Sequence, residues 1–136
     1  MSATAAKADA ADPAHLEAAI ASMLQLNRVG AELASRFEIH AMTDITGFAL
    51  LGHASEMAEH SAVQLRFDSA RIPLLPGARG YAERELFPGG TKRNADYYGP
   101  SVRVSGAVSD DLLRLLYTPE TSGGLLVALP AASIQE

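Results

Sequence analysis

The apolar run LLVALP, residues 125–130, sets the strictest requirement on how this 136-residue chain can fold. It follows the segment TPETSGG, residues 118–124, which we call the glycine loop. A continuous apolar run entered from a turn is typical of a strand buried on both faces, so it requires covering layers on either side. The closing segment PAASIQE resembles the first turn of a further helix, and we expect the domain to be truncated at its C-terminus.

Helical patterns surround this predicted strand. Asp12 before Pro13 is a typical helix start, because the aspartate accepts first-turn amides and proline needs no amide partner. Apolar residues then recur every three or four positions as far as Phe37, which predicts one long amphipathic helix, kinked near Gly30. Ser109 is a good cap for the helix that follows it. Further helices are predicted over residues 48–60 and 78–86.

Strand patterns alternate with these helices. Residues 38–43, 63–67 and 102–104 alternate apolar and polar side chains, which predicts three short strands. Strands interspersed with helices indicate an α+β fold. The alanine-rich residues 1–11 have no periodic apolar face, and we expect them to be a disordered lead-in to a domain that covers residues 12–136.

Composition excludes several classes of function. With 48% hydrophobic and 20% charged residues, the chain suits one globular domain with a real core. A net charge of -5 gives no cationic field for nucleic acid or an anionic membrane surface. The absence of cysteine removes disulfides, thiolate metal sites and a cysteine nucleophile. No apolar run approaches the roughly 20 residues that span a bilayer, so we expect a cytoplasmic protein without nucleic-acid or membrane partners.

Asp44 lies where the strand pattern gives way to the helix pattern, within TDITGFALLGH, residues 43–53. A helix N-terminus stabilises an anion, so one interpretation of Asp44 is a helix cap. The other is a hard oxygen ligand for Mg²⁺, which prefers carboxylates, waters and substrate phosphates. One aspartate cannot make such a site, and His40 and His53 are poor magnesium ligands. The residues alone favour the cap.

Two glycine-containing segments suit phosphate binding, because glycine lets successive backbone amides point into one concavity. One is PGGTKRN, residues 88–94, which we expect to be a loop, and the other is the glycine loop. Together with the turn before residue 48, they provide Gly47, Thr91 and Ser122 as candidate nucleotide or phosphate contacts. Neither segment has the residue order of a P-loop, and the alternative is two tight loops without a ligand.

His53 and the two adjacent tyrosines have structural interpretations. No serine nucleophile or orienting acid is placed in the sequence to form a triad with His53, so we expect a packed or capping histidine. Tyr97 and Tyr98 are expected to anchor a loop.

Five stretches of the sequence together point to a known family: MLQLNR, HAMTDITGFALLGHASEMAEH, IPLLPGA, PGGTKRNADYY and LLYTPETSGGLLVALP. In this order they resemble the C-terminal domain of selenophosphate synthetase, also called selenide, water dikinase, over nearly the whole chain after residue 12. Its two most specific blocks are T-D-V-T-G-F-G-L-L-G-H and D-P-Q-T-S-G-G-L-L. The chain departs from these blocks at Ile45, Ala49, Thr118 and Glu120. Ala49, which replaces a glycine, adds a methyl group near a tight backbone.

The resemblance implies a fold and an activity. The implied fold is a three-layer α/β/α domain with a mixed sheet, as in the wider group that includes aminoimidazole ribonucleotide synthetase. The implied enzyme converts ATP, selenide and water into selenophosphate, AMP and phosphate for selenocysteine and selenouridine synthesis. Its ATP-binding loop, its catalytic cysteine or selenocysteine and its other magnesium-binding aspartates belong to an N-terminal domain absent here. Asp44 matches a Mg²⁺ ligand of the family that is contributed across the domain interface. We therefore expect Asp44 at a strand end just before a helix, with its carboxylate at the surface that faces the N-terminal domain.

The resemblance also bears on assembly. The full-length enzyme is expected to be a homodimer, and the isolated C-terminal domain is expected to be inactive. Two alternatives stay open: a stand-alone binding or assembly module that uses the fold without catalysis, or the C-terminal domain of a related ATP-dependent enzyme with a different acceptor. Turnover with selenide as the acceptor separates these possibilities.

Overall fold

The computed structural model describes residues 1–133. A further helix was expected to begin in the closing segment, and residues 134–136 of that segment lie outside the described residues. Within this part, seven α-helices accompany one two-stranded sheet. The helices are α1 (Ser2–Lys7), α2 (Pro13–Leu24), α3 (Arg28–Ala34), α4 (Ala49–His60), α5 (Ala78–Glu83), α6 (Gly89–Tyr98) and α7 (Asp110–Leu116). The strands are β1 (Ala41–Asp44) and β2 (Leu125–Ala128), and short 3₁₀ turns occupy Ser69–Arg71, Gly99–Ser101 and Ala131–Ser133.

The two strands pair in antiparallel register, with Ala41 opposite Ala128 and Asp44 opposite Leu125. The strand predicted within residues 125–130 is confirmed, although every residue of β2 is partly exposed rather than buried. The α+β class is confirmed as well. The predicted mixed sheet between two helical layers is not formed by the described residues, whose sheet has two antiparallel strands. The pairing brings the end of β1 beside the end of the glycine loop.

Two of the predicted strands are wrong. Residues 63–68 and 102–105 are irregular in the structure. Their alternating patterns still have a packing cause, since Leu65 and Phe67 are half-buried and Val102 packs against the hydrophobic core. Alternation reports one buried face, but a strand also needs a hydrogen-bonded neighbour, and neither segment has one in the described part of the chain.

The predicted long helix is divided into α2 and α3 by an irregular break at residues 25–27, rather than kinked near Gly30. Gln25 ends α2 in an extended conformation, and the Asn27 side chain donates a 3.0 Å hydrogen bond to the carbonyl of Gly123. This contact fixes the start of α3 against the glycine loop. Gly30 then lies inside α3, where a β-carbon would come within 3.2 Å of the Leu125 side chain.

Cap hydrogen bonds confirm two predicted helix starts. The Asp12 carboxylate accepts a 2.8 Å hydrogen bond from the amide of Ala14 at the start of α2. The Ser109 hydroxyl accepts a 3.3 Å hydrogen bond from the amide of Leu112 at the start of α7. Each bond satisfies an amide that the helix itself leaves unpaired. The helix predicted at residues 48–60 is confirmed as α4.

The first residues of the chain are ordered, which corrects the expectation of a disordered lead-in. Residues 2–7 form α1, whose Ala5 is fully buried. This helix contacts both α2 and α5. Alanine has the highest helix propensity of all residues, and its short side chain lets two helices approach closely, so an alanine-rich segment packs without a broad apolar face.

The segment PGGTKRN, which we expected to be a loop, instead begins helix α6. On local propensity alone, each glycine disfavours a helix by about 1 kcal/mol relative to alanine. Tertiary packing outweighs that preference, because Thr91 and Asn94 are buried on the inner face of the helix. Gly90 packs so closely on Pro119 that a β-carbon would overlap the proline ring.

The hydrophobic core joins α4, α5, α6 and α7. Its buried members are Leu51, Ala78, Ala82, Tyr98, Leu112, Leu115, Leu116 and Tyr117. At the surface, Arg114 of α7 makes two 2.7 Å hydrogen bonds to Glu85, just beyond α5, and stacks 3.9 Å from the Phe87 ring centroid. The Arg114 hydrogen bond lowers the pKa of the Glu85 carboxyl below its usual value. The helix predicted over residues 78–86 ends earlier, at Glu83.

None of the helices in residues 1–133 has the length and apolar character needed to cross a membrane.

Candidate functional site

Asp44 is the last residue of β1 and is exposed. Its predicted position, at a strand end on the protein surface, is confirmed. Within residues 1–133, no hydrogen bond or ion pair engages its carboxylate, although its backbone carbonyl accepts from the Thr43 hydroxyl at 3.2 Å. The carboxylate is therefore free to bind a cation from outside this part of the chain.

The interpretation of Asp44 as a helix cap is wrong. The β1–α4 loop, residues 45–48, separates it from the first residue of α4. The residue at the cap position is Phe48, and no side chain makes a cap hydrogen bond there. The sequence places a carboxylate near a helix start, but the loop intervenes, and the amide of Ala49 donates to the carbonyl of Thr46 at 3.0 Å.

The β1–α4 loop and the glycine loop are joined by backbone hydrogen bonds. The amide of Ile45 donates to the carbonyl of Gly124, and the amide of Gly123 donates back to the carbonyl of Ile45, each at 2.9 Å. The amide of Glu120 donates to the carbonyl of Thr46, also at 2.9 Å. These bonds extend the β1–β2 pairing beyond the strands, so the two loops form one unit beside Asp44.

Gly123 is required for this close approach. A β-carbon at Gly123 would overlap the carbonyl oxygen of Ile45, which is backbone and cannot rotate away. At the neighbouring Gly124, a β-carbon would meet no atom of the described residues within 4 Å. The glycine pair of the glycine loop therefore has one position with a steric function and one without.

The three candidate phosphate contacts occupy different environments. Gly47 and Ser122 lie on the two bonded loops next to Asp44, with Gly47 exposed and Ser122 half-buried. Thr91 is separate, since it is only 2% exposed and its hydroxyl lies 3.1 Å from the hydroxyl of Thr118. The structure thus brings Gly47 and Ser122 together with Asp44, while the Thr91 hydroxyl is directed into the interior. Phosphate binding by these residues stays a prediction.

A chain of polar contacts runs behind the β1–α4 loop. The Thr46 hydroxyl lies 3.2 Å from Nε2 of His53, and Nδ1 of His53 lies 3.5 Å from a Glu56 oxygen. The Tyr98 hydroxyl donates to the other Glu56 oxygen at 3.1 Å. A carboxylate beside Nδ1 favours the tautomer with its proton on that nitrogen, which leaves Nε2 to accept from Thr46.

The sequence pointed to only part of this arrangement. A packed His53 is confirmed, because its side chain is 11% exposed. Its partners Thr46 and Glu56 were missed, although the three-residue spacing from His53 to Glu56 on one helix is a readable signal. The expectation that the tyrosines anchor a loop is wrong, because both end helix α6: Tyr98 is buried and Tyr97 is exposed.

Burial raises the pKa of Tyr98 to about 12, and the hydrogen bond to Glu56 acts in the same direction. We expect tyrosinate absorbance to show one hydroxyl that ionises near that pH and disappears in Tyr98→Phe. Because unfolded tyrosine ionises near pH 10, stability should fall as pH rises from about 10 to 12. Glu56→Gln should lower the pKa only in part, since burial is the larger cause. If Tyr98→Phe instead removed a tyrosine hydroxyl that ionises near pH 10, the raised pKa of Tyr98 would be contradicted.

The metal-binding capacity of the described residues is small. Residues 1–133 contain no cluster of three His, Cys, Asp or Glu side chains that could hold a metal ion. Asp44 supplies one free carboxylate oxygen donor of the kind that Mg²⁺ prefers. Asp44 could therefore contribute one ligand to a magnesium ion, whose other ligands would have to come from outside this part of the chain.

Comparison with known sequences supports the relationship indicated by the motifs. The sequence family described as AIR synthase related protein, C-terminal domain, matches residues 2–136. The chain belongs to this family. Several proteins that are similar to this chain are named selenide, water dikinase. The resemblance inferred from the five stretches is therefore confirmed.

Three of these relatives are similar over most of the domain. The protein of Pseudomonas straminea is 43% identical over 124 residues, which are 91% of this chain and 35% of the relative. That of Paraburkholderia xenovorans is 43% identical over 97% of this chain and 37% of the relative. That of Pasteurella multocida is 46% identical over 84% of this chain and 32% of the relative. The AIR synthase related domain described here thus spans about a third of their length.

The backbone at Ala49 explains why the family block has a glycine at this position. Ala49 has a φ of 64°, in the left-handed region that favours glycine, and it is fully buried. Glycine adopts this conformation without steric cost, whereas alanine is strained there by about 1–2 kcal/mol. The glycine of the family block is therefore explained by backbone conformation at the start of α4.

Proposed function

We propose that this chain is the C-terminal domain of a selenide, water dikinase, which forms selenophosphate, AMP and phosphate from ATP, selenide and water for selenocysteine and selenouridine synthesis. The observation that carries the proposal is the free, exposed carboxylate of Asp44 at the junction of the two family blocks. The names of the relatives supply the reaction class. We call the longer protein that contains this domain the complete enzyme.

In the complete enzyme, Asp44 holds a Mg²⁺ ion together with carboxylates from the N-terminal domain. When bound, the ion neutralises charge on the phosphates of ATP, and phosphoryl transfer depends mainly on such neutralisation and on positioning. The contribution of this chain is to present one carboxylate from a strand end. The β1–α4 loop and the glycine loop hold that strand end in place through their shared backbone hydrogen bonds.

The setting of the domain follows from the same proposal. In the complete enzyme, the β1–β2 pair forms part of a larger mixed sheet with helices on both faces, in a three-layer α/β/α domain. The complete enzyme is a cytoplasmic homodimer. Gly47 and Ser122 lie on the two joined loops beside Asp44, where their backbone amides are available to substrate phosphates.

The isolated chain should not bind Mg²⁺-ATP beyond weak, nonspecific levels. ATP cleavage requires a cradle for three phosphates and more than one metal-binding carboxylate, and the described residues offer one. We expect calorimetric titration of the chain to give no saturable heat, while the complete enzyme forms AMP only when selenide is present. Inorganic sulfide serves as the control acceptor. Selenide-independent AMP formation by the complete enzyme would contradict the proposed reaction.

A second candidate function is favoured by an exposed apolar surface. Leu24, Leu26 and Val29, around the break between α2 and α3, are 74%, 75% and 67% exposed. Contiguous exposed apolar side chains indicate a contact surface for other protein, which also suits a non-catalytic assembly module. The same assay decides between the two candidates, because an assembly module gives no AMP with selenide or with any other acceptor.

A further inference from the structure

The side chain of Asn94 connects α6 to both of the segments that surround Asp44. Asn94 is 8% exposed, and its amide nitrogen donates to the carbonyl of Gly47 and to the carbonyl of Tyr117, each at 3.0 Å. Gly47 belongs to the β1–α4 loop, and Tyr117 directly precedes the glycine loop. One buried nitrogen therefore bonds two backbone segments that lie far apart in the sequence.

The chemistry of these two bonds specifies an amide. Both hydrogens of a carboxamide nitrogen are donors, so one side chain satisfies two carbonyl acceptors at the same time. Aspartate has the same shape but, when ionised, has no hydrogen to donate. Lysine or arginine would bring a charge into a buried position. The two hydrogen bonds therefore require a carboxamide at this position of the segment GGTKRN. A phosphate-binding loop or a surface helix would not require one.

We propose that Asn94 is a positioning residue for the metal-binding carboxylate of Asp44. Its bond to Gly47 fixes the loop immediately after Asp44, and its bond to Tyr117 fixes the start of the segment that pairs with that loop. Without Asn94, the β1–α4 loop keeps its backbone bonds to the glycine loop and the packing of Phe48 on Tyr98, but loses its hydrogen bond to α6. The strand end then samples more than one orientation. This inference rests on the proposed function, because it concerns the use of Asp44 as a metal ligand.

The test compares Asn94→Ala and Asn94→Ser in the complete enzyme, with Leu112→Ala as a control. Leu112 is a buried core residue of α7, so its truncation lowers stability without touching either Asn94 bond. We expect amide hydrogen exchange at Ile45 and Gly123 to become about tenfold faster in Asn94→Ala and less so in Asn94→Ser, which retains one donor. Leu112→Ala should leave the ratio of their exchange rates to those of α2 amides unchanged.

The second measurement is Mn²⁺ binding in the presence of ATP. We expect a dissociation constant about tenfold higher in Asn94→Ala, as is common when a residue that supports a metal ligand is removed, and no change in Leu112→Ala. Unchanged exchange at Ile45 and Gly123 would overturn the inference. Faster exchange with unchanged Mn²⁺ affinity would overturn the link to Asp44. A wild-type enzyme that binds no Mn²⁺ with ATP would instead contradict the proposed function, and the exchange rates would still decide whether Asn94 holds the loop.

Discussion

Asp44→Asn in the complete enzyme should lower selenide-dependent AMP formation by about 100-fold or more, because loss of even an indirect metal-site partner commonly costs 10–100-fold. The substitution removes one negative charge and retains the shape of the side chain. It should leave the fold intact, since Asp44 is exposed and its carboxylate bonds to no residue in the described chain. The activity is measured as AMP released with selenide present, and the fold by urea unfolding.

The matched control for this prediction is Asp96→Asn. Asp96 is an exposed aspartate of α6 whose carboxylate pairs with Lys92 at 2.6 Å on the surface. An exposed pair of this kind contributes little to stability, so the same chemical change there should leave turnover and unfolding nearly unaltered. Equal turnover by wild type and Asp44→Asn would remove Asp44 from the metal site.

Of the two possible glycine-to-alanine substitutions in the glycine loop, Gly123→Ala should cause the larger loss of stability. The new methyl group would overlap the carbonyl oxygen of Ile45, so the loops must separate and weaken their paired backbone bonds. Forcing an extra methylene-sized group into a packed site costs about 1–3 kcal/mol. Urea unfolding of the chain measures this change in the free energy of unfolding.

Gly124→Ala is the control in the adjacent position. Its β-carbon would meet nothing within 4 Å, and Gly124 is not among the described residues with positive φ. We expect its unfolding free energy to equal that of wild type or to exceed it slightly, because alanine reduces the freedom of the unfolded chain. If the two alanine variants unfold at the same urea concentration, the close approach at Gly123 is not as the structure has it.

The local patterns of the sequence predicted the elements that carry the site. The β1 strand, the turn after it and the strand in LLVALP were all indicated, and so was the exposed position of Asp44 at a strand end. Their pairing was not, because Asp44 and Leu125 are far apart in the chain and periodicity contains no information about which strands meet. The adjacency of the two family blocks is therefore a result of the structure.

The secondary-structure predictions that proved wrong have a common physical cause. In α6, two glycines and several polar residues argue for a loop, but Asn94 and Thr91 find buried hydrogen-bond partners that make the helix favourable. In residues 63–68, alternation argues for a strand, but residues 1–133 provide no neighbouring strand for it to pair with. Tertiary partners decide both cases, and local propensity is a weak guide where they exist.

Mn²⁺ binding shows whether Asp44 completes a metal site. Electron paramagnetic resonance of the free ion gives the binding isotherm of the complete enzyme in the presence of ATP. For Asp44→Asn, the proposed metal role predicts a Mn²⁺ dissociation constant about 10–100-fold higher than that of wild type, with Asp96→Asn unchanged. Superimposable isotherms for wild type and Asp44→Asn would contradict it.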